Sequence, residues 1–225
     1  MTDSPPISLV CFDLAGIVID DSMVERAFAE AIATQGIVMG TQDYARSMVR
    51  LDRSHGRAPA AVLRDLFDGD EPRAQAASLA FERSYSAAVQ RSGLDLPADV
   101  ADAIGKTAGL GAKICLLTML SRRSGGEFLA LLRTADLALC ADDAPRGFPW
   151  PDPVLTAMLR LGTADVREVA LVSATPDGVL SGYRAGARIV VGLGSGRRAG
   201  TLREAGATHV LDNITTLPEL VAGSL

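Results

Sequence analysis

Lysine is almost missing from this chain. The 225 residues hold two, Lys106 and Lys113, and nearly every other basic side chain is arginine. Arginine stays charged at neutral pH and cannot replace an amine nucleophile, so amine chemistry has only those two residues to draw on. Cysteine is scarce as well. Cys11, Cys115 and Cys140 lie in apolar segments, and an odd number without short spacings is neither a disulfide framework nor a zinc site. Reduced, buried thiols in a cytoplasmic protein are therefore expected. No apolar run reaches the roughly 18 residues of a membrane span. The polar start Met1–Pro6 lacks the pattern of a signal peptide, and no membrane partner is expected. Net positive charge is also lacking. A formal net charge of −5 argues against a general nucleic-acid binder.

What is present is an alternating pattern. Ser8–Asp13 is a short apolar run ending in an acid and reads as a buried strand. From about Asp21 to Arg91 strand signals stop. Ala-rich helical patterns follow over Met23–Gln35, Gln42–Arg50, Ala60–Phe67 and Pro72–Arg91, broken at Gly36–Gly40, near Gly56 and Pro59, and at Gly69–Pro72. After Pro97, helices and strands alternate. Strands are predicted at Lys113–Thr118, Leu137–Ala141, Val169–Ser173, Arg188–Gly192 and His209–Leu211. Helices are predicted at Val100–Thr107, Gly126–Arg133, Pro151–Leu161, Val179–Ala185 and Arg198–Ala205, and Leu217–Ala222 closes the pattern. Such alternation implies an α/β fold with a parallel sheet covered on both faces, interrupted after its first strand by an all-helical insert.

In an open parallel sheet, ligands bind beyond the carboxyl ends of the strands. The first strand ends at Asp13, the second at Thr118, and the third leads through Asp142-Asp143 to Arg146 and Trp150. The fourth ends at Ser173-Ala174-Thr175-Pro176-Asp177-Gly178. An aspartate at the first of these ends, followed by a glycine turn, reads either as a covalent nucleophile or as a turn-capping acid. A hydroxyl at the next, Thr118, can hydrogen-bond a phosphoryl oxygen. The single Trp150 reads either as a stacking surface beside a ligand or as a packed loop aromatic.

Several segments, in order and spacing, resemble the haloacid dehalogenase (HAD) superfamily. They are DLAGIVIDD, the helical insert, CLLT, GFPWPDPVLTAMLRLG, TPDGVLSGYRAGARIVVGLGSG and THVLDNITTLPEL. Asp13-Leu14-Ala15-Gly16 is most similar to the phosphonatase-like branch, which has Ala where most HAD phosphatases have a second Asp. The resemblance implies a HAD-like Rossmannoid core over residues 1–20 and 95–225, with a C1-type helical cap over 21–94. It implies Asp13 as nucleophile, Thr118 as phosphate-binding hydroxyl, and Ala15, Gly16 and Arg122 as ligand contacts. It also implies Mg²⁺ held by Asp13 and the Ala15 carbonyl, with a small phosphorylated anion as ligand. A homodimer is compatible with it.

The chain departs from that pattern where charge is needed. The usual Gly-Arg/Lys-Pro-x-Pro-Asp stands as Gly147-Phe148-Pro149-Trp150-Pro151-Asp152, so the cation is replaced by Phe148. The usual Gly-Asp-Thr-Pro-x-Asp stands as Ser173 to Gly178, so Ala174 and Gly178 replace the two acids. Phosphoryl transfer depends on metal and cations to screen charge. Two unit charges about 4 Å apart repel by about 4 kcal/mol at an effective dielectric near 20. That is close to three orders of magnitude in rate. Asp177 could stand in for the lost metal ligand by a shifted turn, or simply start a helix. Arg146 could swing in for the lost cation, or remain a solvated loop charge. Arg50, Arg53, His55 and Arg57 could contact an anion from the insert, or form a solvated helix end. The branch enzyme phosphonoacetaldehyde hydrolase needs a cap lysine for a Schiff base, and the insert has none. The expected function is thus a phosphatase- or phosphonatase-like hydrolase with weak or lost Mg²⁺-dependent activity. The alternatives are a non-catalytic anion- or protein-binding pseudoenzyme, and a metal-free dehalogenase-like hydrolase. Ser173 favours the last of these and Phe148 opposes it.

Overall fold

A computed structural model describes residues 5–19, 21–54, 56–92, 96–125 and 135–223. Six strands form one parallel sheet in the order β3-β2-β1-β4-β5-β6. They are β1 (Leu9–Asp13), β2 (Lys113–Leu117), β3 (Leu137–Leu139), β4 (Val169–Ser173), β5 (Ile189–Leu193) and β6 (His209–Leu211). Alternate side chains of each strand serve opposite faces. Val10, Phe12, Ile114, Leu116, Ala170 and Val172 enter one apolar cluster. Leu9, Cys11, Cys115, Leu117, Val169 and Leu171 enter the other. Burial on both faces is why these strands read as continuous apolar runs.

Between β1 and the rest of the sheet lie α1 (Asp21–Ala33), α2 (Gln42–Arg53), α3 (Pro59–Leu66) and α4 (Glu71–Ser92), with no strand among the described residues. Phe28, Ile32, Leu63 and Tyr85 of this helical segment share one cluster with Phe12 and Val172 of the sheet. The segment is therefore packed continuously onto the core. After it come α5 (Ala98–Gly109), α6 (Arg122–Gly125), α7 (Asp152–Leu161), α8 (Pro176–Ala185), α9 (Gly196–Glu204) and α10 (Leu217–Ala222). The helix predicted at Gly126–Arg133 lies outside the described residues, as do His55 and the expected domain boundaries near 20 and 94. No described helix is long and apolar enough to cross a membrane.

Two features position the candidate site. The strand order steps outward in opposite directions from β1 and β4, which creates a crevice at their carboxyl ends. The register pairs Phe12 with Val172, so Asp13 and Ser173 emerge side by side.

Candidate active site

Asp13 is fully buried at the end of β1. Its Oδ1 accepts the Ala15 N–H at 3.1 Å. Its Oδ2 accepts the Ser173 hydroxyl at 2.6 Å and the Thr175 hydroxyl at 3.1 Å. The local chain explains this shell. Thr175 is the N-cap of α8, with its Oγ1 accepting the Gly178 N–H at 3.1 Å, and Pro176 suits the first helical position. Ser173 Oγ in turn accepts the Thr175 N–H at 2.9 Å. The end of β4 and the N-cap of α8 thus aim two hydroxyls at one carboxylate oxygen.

Gly178, which stands where the resemblance calls for an acid, closes the shell. A Cβ there would lie 2.3 Å from Ser173 Oγ and 2.6 Å from Asp13 Oδ2. The Ser173 hydroxyl fills the space that a side chain at 178 would need. Above this turn sits Gly56, in the left-handed region at φ +97°, where a Cβ would meet Thr175 Oγ1 at 2.6 Å. Gly56 thereby roofs the Asp13 cluster. Asp177 is half-buried on the same turn, its Cβ 3.4 Å from that Gly56 position.

A cleft of about 70 Å³ opens between the helical segment and the strand ends. Ala15, Ile19, Val24, Leu51, Gly56, Arg57, Thr118 and Met119 are among its walls, together with Glu25 and Asp52. Thr118 is buried, and its Oγ1 accepts the Leu120 N–H at 3.2 Å. Arg57 at the cleft is paired with Asp65 at 2.9 Å. Where a cation was expected, Phe148 is buried in the apolar cluster and its N–H points to Met119 Sδ at 3.2 Å.

Asp13, Ala15, Gly16, Thr118 and Asp177 thus gather around the carboxyl ends of β1, β2 and β4. Arg122, Arg146 and Trp150 are not among the residues that wall the cleft. Arg122 donates to Asp143 Oδ1 at 2.6 Å. That hydrogen bond raises the guanidinium pKa. Burial alone would raise the Asp143 carboxyl, but the Arg122 and Cys140 hydrogen bonds outweigh it and hold the carboxyl below its ordinary value. Arg146 grips Asp152 with two bonds of 3.0 and 2.8 Å, which lowers the Asp152 carboxyl pKa. Trp150 is 45 % exposed, with the Arg146 and Arg184 guanidinium carbons 4.4 and 5.1 Å from its ring centre. Lys113 opens β2 opposite Leu9, at the end of the sheet away from Asp13. Lys106 pairs with Asp102 on α5.

The donor set does not fit Mg²⁺. That ion needs an octahedral oxygen shell, usually with one or two carboxylates. Asp13 supplies one carboxylate, and its Oδ2 is already taken by two hydroxyls. Ala174 offers a methyl group and Gly178 nothing, while the Cβ of Asp177, the expected stand-in, packs towards Gly56. Among the described residues no three His, Cys, Asp or Glu side chains gather to hold a metal. Thr175 and Gly56 were missed by sequence reasoning. Thr-Pro-Asp is a helix-start signal that could have found the first, but nothing local marks the second as a roof.

No family model matches the chain. Among curated proteins, it is 31% identical over 111 residues to phosphonoacetaldehyde hydrolase of Pseudomonas fluorescens, covering 39% of this chain and 40% of that protein. It is 33% identical over 106 residues to the protein of the same name from Pseudomonas aeruginosa, covering 45% of this chain and 38% of that protein. The chain thus matches about two fifths of the length of these relatives. Among solved structures, a phosphonoacetaldehyde hydrolase-like protein from Oleispira antarctica superposes with a TM-score of 0.81 at 20% identity, covering 98% of this chain and 93% of that one. CbbY from Rhodobacter sphaeroides, in complex with phosphate, superposes with a TM-score of 0.74 at 18% identity, covering 94% and 96%. On sequence likeness over about two fifths of its length the chain is similar to phosphonoacetaldehyde hydrolases, and along most of its length it has a haloacid dehalogenase-like fold.

Proposed function

We propose that this protein is a phosphatase- or phosphonatase-like hydrolase that works through Asp13 on a small anionic ester, with Mg²⁺-dependent turnover weak or lost. The observation that carries this reading is the shell of Asp13: a carboxylate at the sheet crevice held by Ser173 and Thr175, beside Ala174 and Gly178 where the superfamily pattern has acids. In the proposed chemistry a carboxylate oxygen attacks phosphorus, the ester oxygen leaves with its bonding electrons, and water then cleaves the aspartyl phosphate to restore the carboxylate. Thr118 donates its hydroxyl to a phosphoryl oxygen. The helical segment over 21–94 serves as a C1-type cap, and Gly56 is the part of it that closes on Thr175. Schiff-base chemistry is not part of the proposal, because Lys113 opens its strand at the far end and Lys106 is committed to Asp102.

The test is hydrolysis of p-nitrophenyl phosphate by wild type and Asp13→Asn, in Mg²⁺ and in EDTA. A slow rate that Mg²⁺ changes less than about threefold, and that Asp13→Asn abolishes, is expected. A rate untouched by Asp13→Asn would sink the catalytic reading. A second reading, a non-catalytic module binding a small anion or a protein, is favoured by the complete burial of Asp13 beneath the Gly56 turn. A metal-free dehalogenase finds support in Ser173 and opposition in the buried Phe148.

A further inference from the structure

The missing cation has a candidate replacement outside the expected motifs. Arg198 stands in the first turn of α9, beyond β5. The Cγ and Cδ of its stem lie 3.1 Å from where a Cβ on Gly194 would stand, so that glycine lets the stem lie flat over the loop. Its Nη2 reaches back to within 3.7 Å of a Cβ position on Gly16, the turn residue just after Asp13 and Ala15. The same Gly16 position is 3.1 Å from the Ala174 Cβ. The guanidinium therefore comes to the contact between the β1 and β4 loops. Among the described residues it forms no ion pair and no hydrogen bond. Ala174 is what leaves it so, because an acid at that position would pair with Arg198 and consume its charge.

We propose that Arg198 is the anion-binding cation of a groove beside the Asp13 cleft, on the other side of the Gly16 turn. The groove it lines, about 280 Å³ and open, has Gly16, Ile17, Ala174, Gly194 and Asn213 in its walls. Asp99 and Asp212 border it too, and neither makes an ion pair with Arg198. Asp99 accepts the Val100 N–H at 3.0 Å at the start of α5, and Asp212 is exposed. One guanidinium flanked by two carboxylates suits one compact oxyanion on an otherwise neutral or cationic body, and repels polyanions. Guanidinium binds such a group through paired N–H donors. The proposal goes beyond the Asp13 reading by naming an anion subsite next to it, and it rests on that reading only for the class of anion.

Titration of inorganic phosphate into the full chain in EDTA tests it, followed by calorimetry and by the amide resonances of Gly16 and Gly194. Wild type is expected to bind phosphate. Arg198→Ala should weaken binding by about tenfold or more, the size of a lost charge-assisted hydrogen bond. Arg198→Lys should bind more weakly than wild type but more tightly than Arg198→Ala, and affinity should fall with added salt. Asp13→Asn should bind phosphate at least as tightly as wild type, since a like charge is removed. Phosphate binding equal in Arg198→Ala and wild type would overturn the proposal, as would no binding by wild type at about 50 mM phosphate. Because no turnover is measured, failure of Asp13 as a nucleophile would leave this result standing.

Discussion

Ser173 and Gly178 act as a pair around Asp13. The serine hydroxyl occupies the volume where a side chain at 178 would begin. Gly178→Asp alone is expected to destabilise the fold by about 1–3 kcal/mol, as overpacking does. Adding Ser173→Gly should recover part of that loss, which thermal unfolding of the three variants would measure. A neutral Gly178→Asp would refute the packing argument. Ser173→Ala removes a 2.6 Å donor from a buried carboxylate and should cost about 1–3 kcal/mol. Asp13 and Thr118 were legible in the sequence because each ends an apolar run and so falls on the ligand-binding edge. The engagement of Arg122 with Asp143 and of Arg146 with Asp152 was not. A run of sequence gives a charge its element but not its partner: Arg146 is satisfied within its own loop, and Arg122 by Asp143 from the segment after β3.

Element by element, the strands were the most legible part, since burial on both faces leaves an unbroken apolar signature. The observed β1, β2, β4 and β5 shift from the predicted spans by one residue or less at each end, while β3 closes at Leu139 rather than Ala141. Helix starts were less clear. The helix predicted from Val179 begins at Pro176, because Pro at the first position with Thr175 as cap builds a turn from residues that otherwise read as a loop. Thr175→Ala is therefore expected to cost about 1–2 kcal/mol from the lost cap, with Thr175→Ser close to wild type in chemical denaturation. The break near Gly56 was legible, but the approach of Gly56 to Thr175 joins distant parts of the chain and depends on tertiary packing.

For the molecule as a whole, a ligand that binds only the folded state raises its melting temperature. With the donors at hand, about 5 mM Mg²⁺ should shift the melting temperature by less than about 1 °C. A larger rise in thermal scans would show that the donor set had been misjudged. Acid should act more strongly. Asp143 and Asp152 have carboxyl pKa values lowered in the folded state, and Asp165 is held at about 2 by its Arg167 hydrogen bond. Their unfolded values lie near 4, so their contribution is present above about pH 4 and is lost as pH falls towards 2. Circular dichroism against pH, at low and high salt, would detect this, and salt should shrink it. The Cys115 and Cys140 thiols should be silent in the native state. Hydrogen bonding with Cys11 and burial push the Cys115 thiol well above its ordinary value, and burial raises Cys140.

The stack of Arg146 and Arg184 against Trp150 gives the molecule a built-in optical probe. With one tryptophan in the chain, all indole emission originates on the loop that carries Phe148, and its environment is set by two guanidinium groups. Protonating Asp152 releases Arg146 from its anchor while the sheet remains folded. The fluorescence spectrum should therefore change over the acid range in which Asp152 is protonated, below its ordinary value.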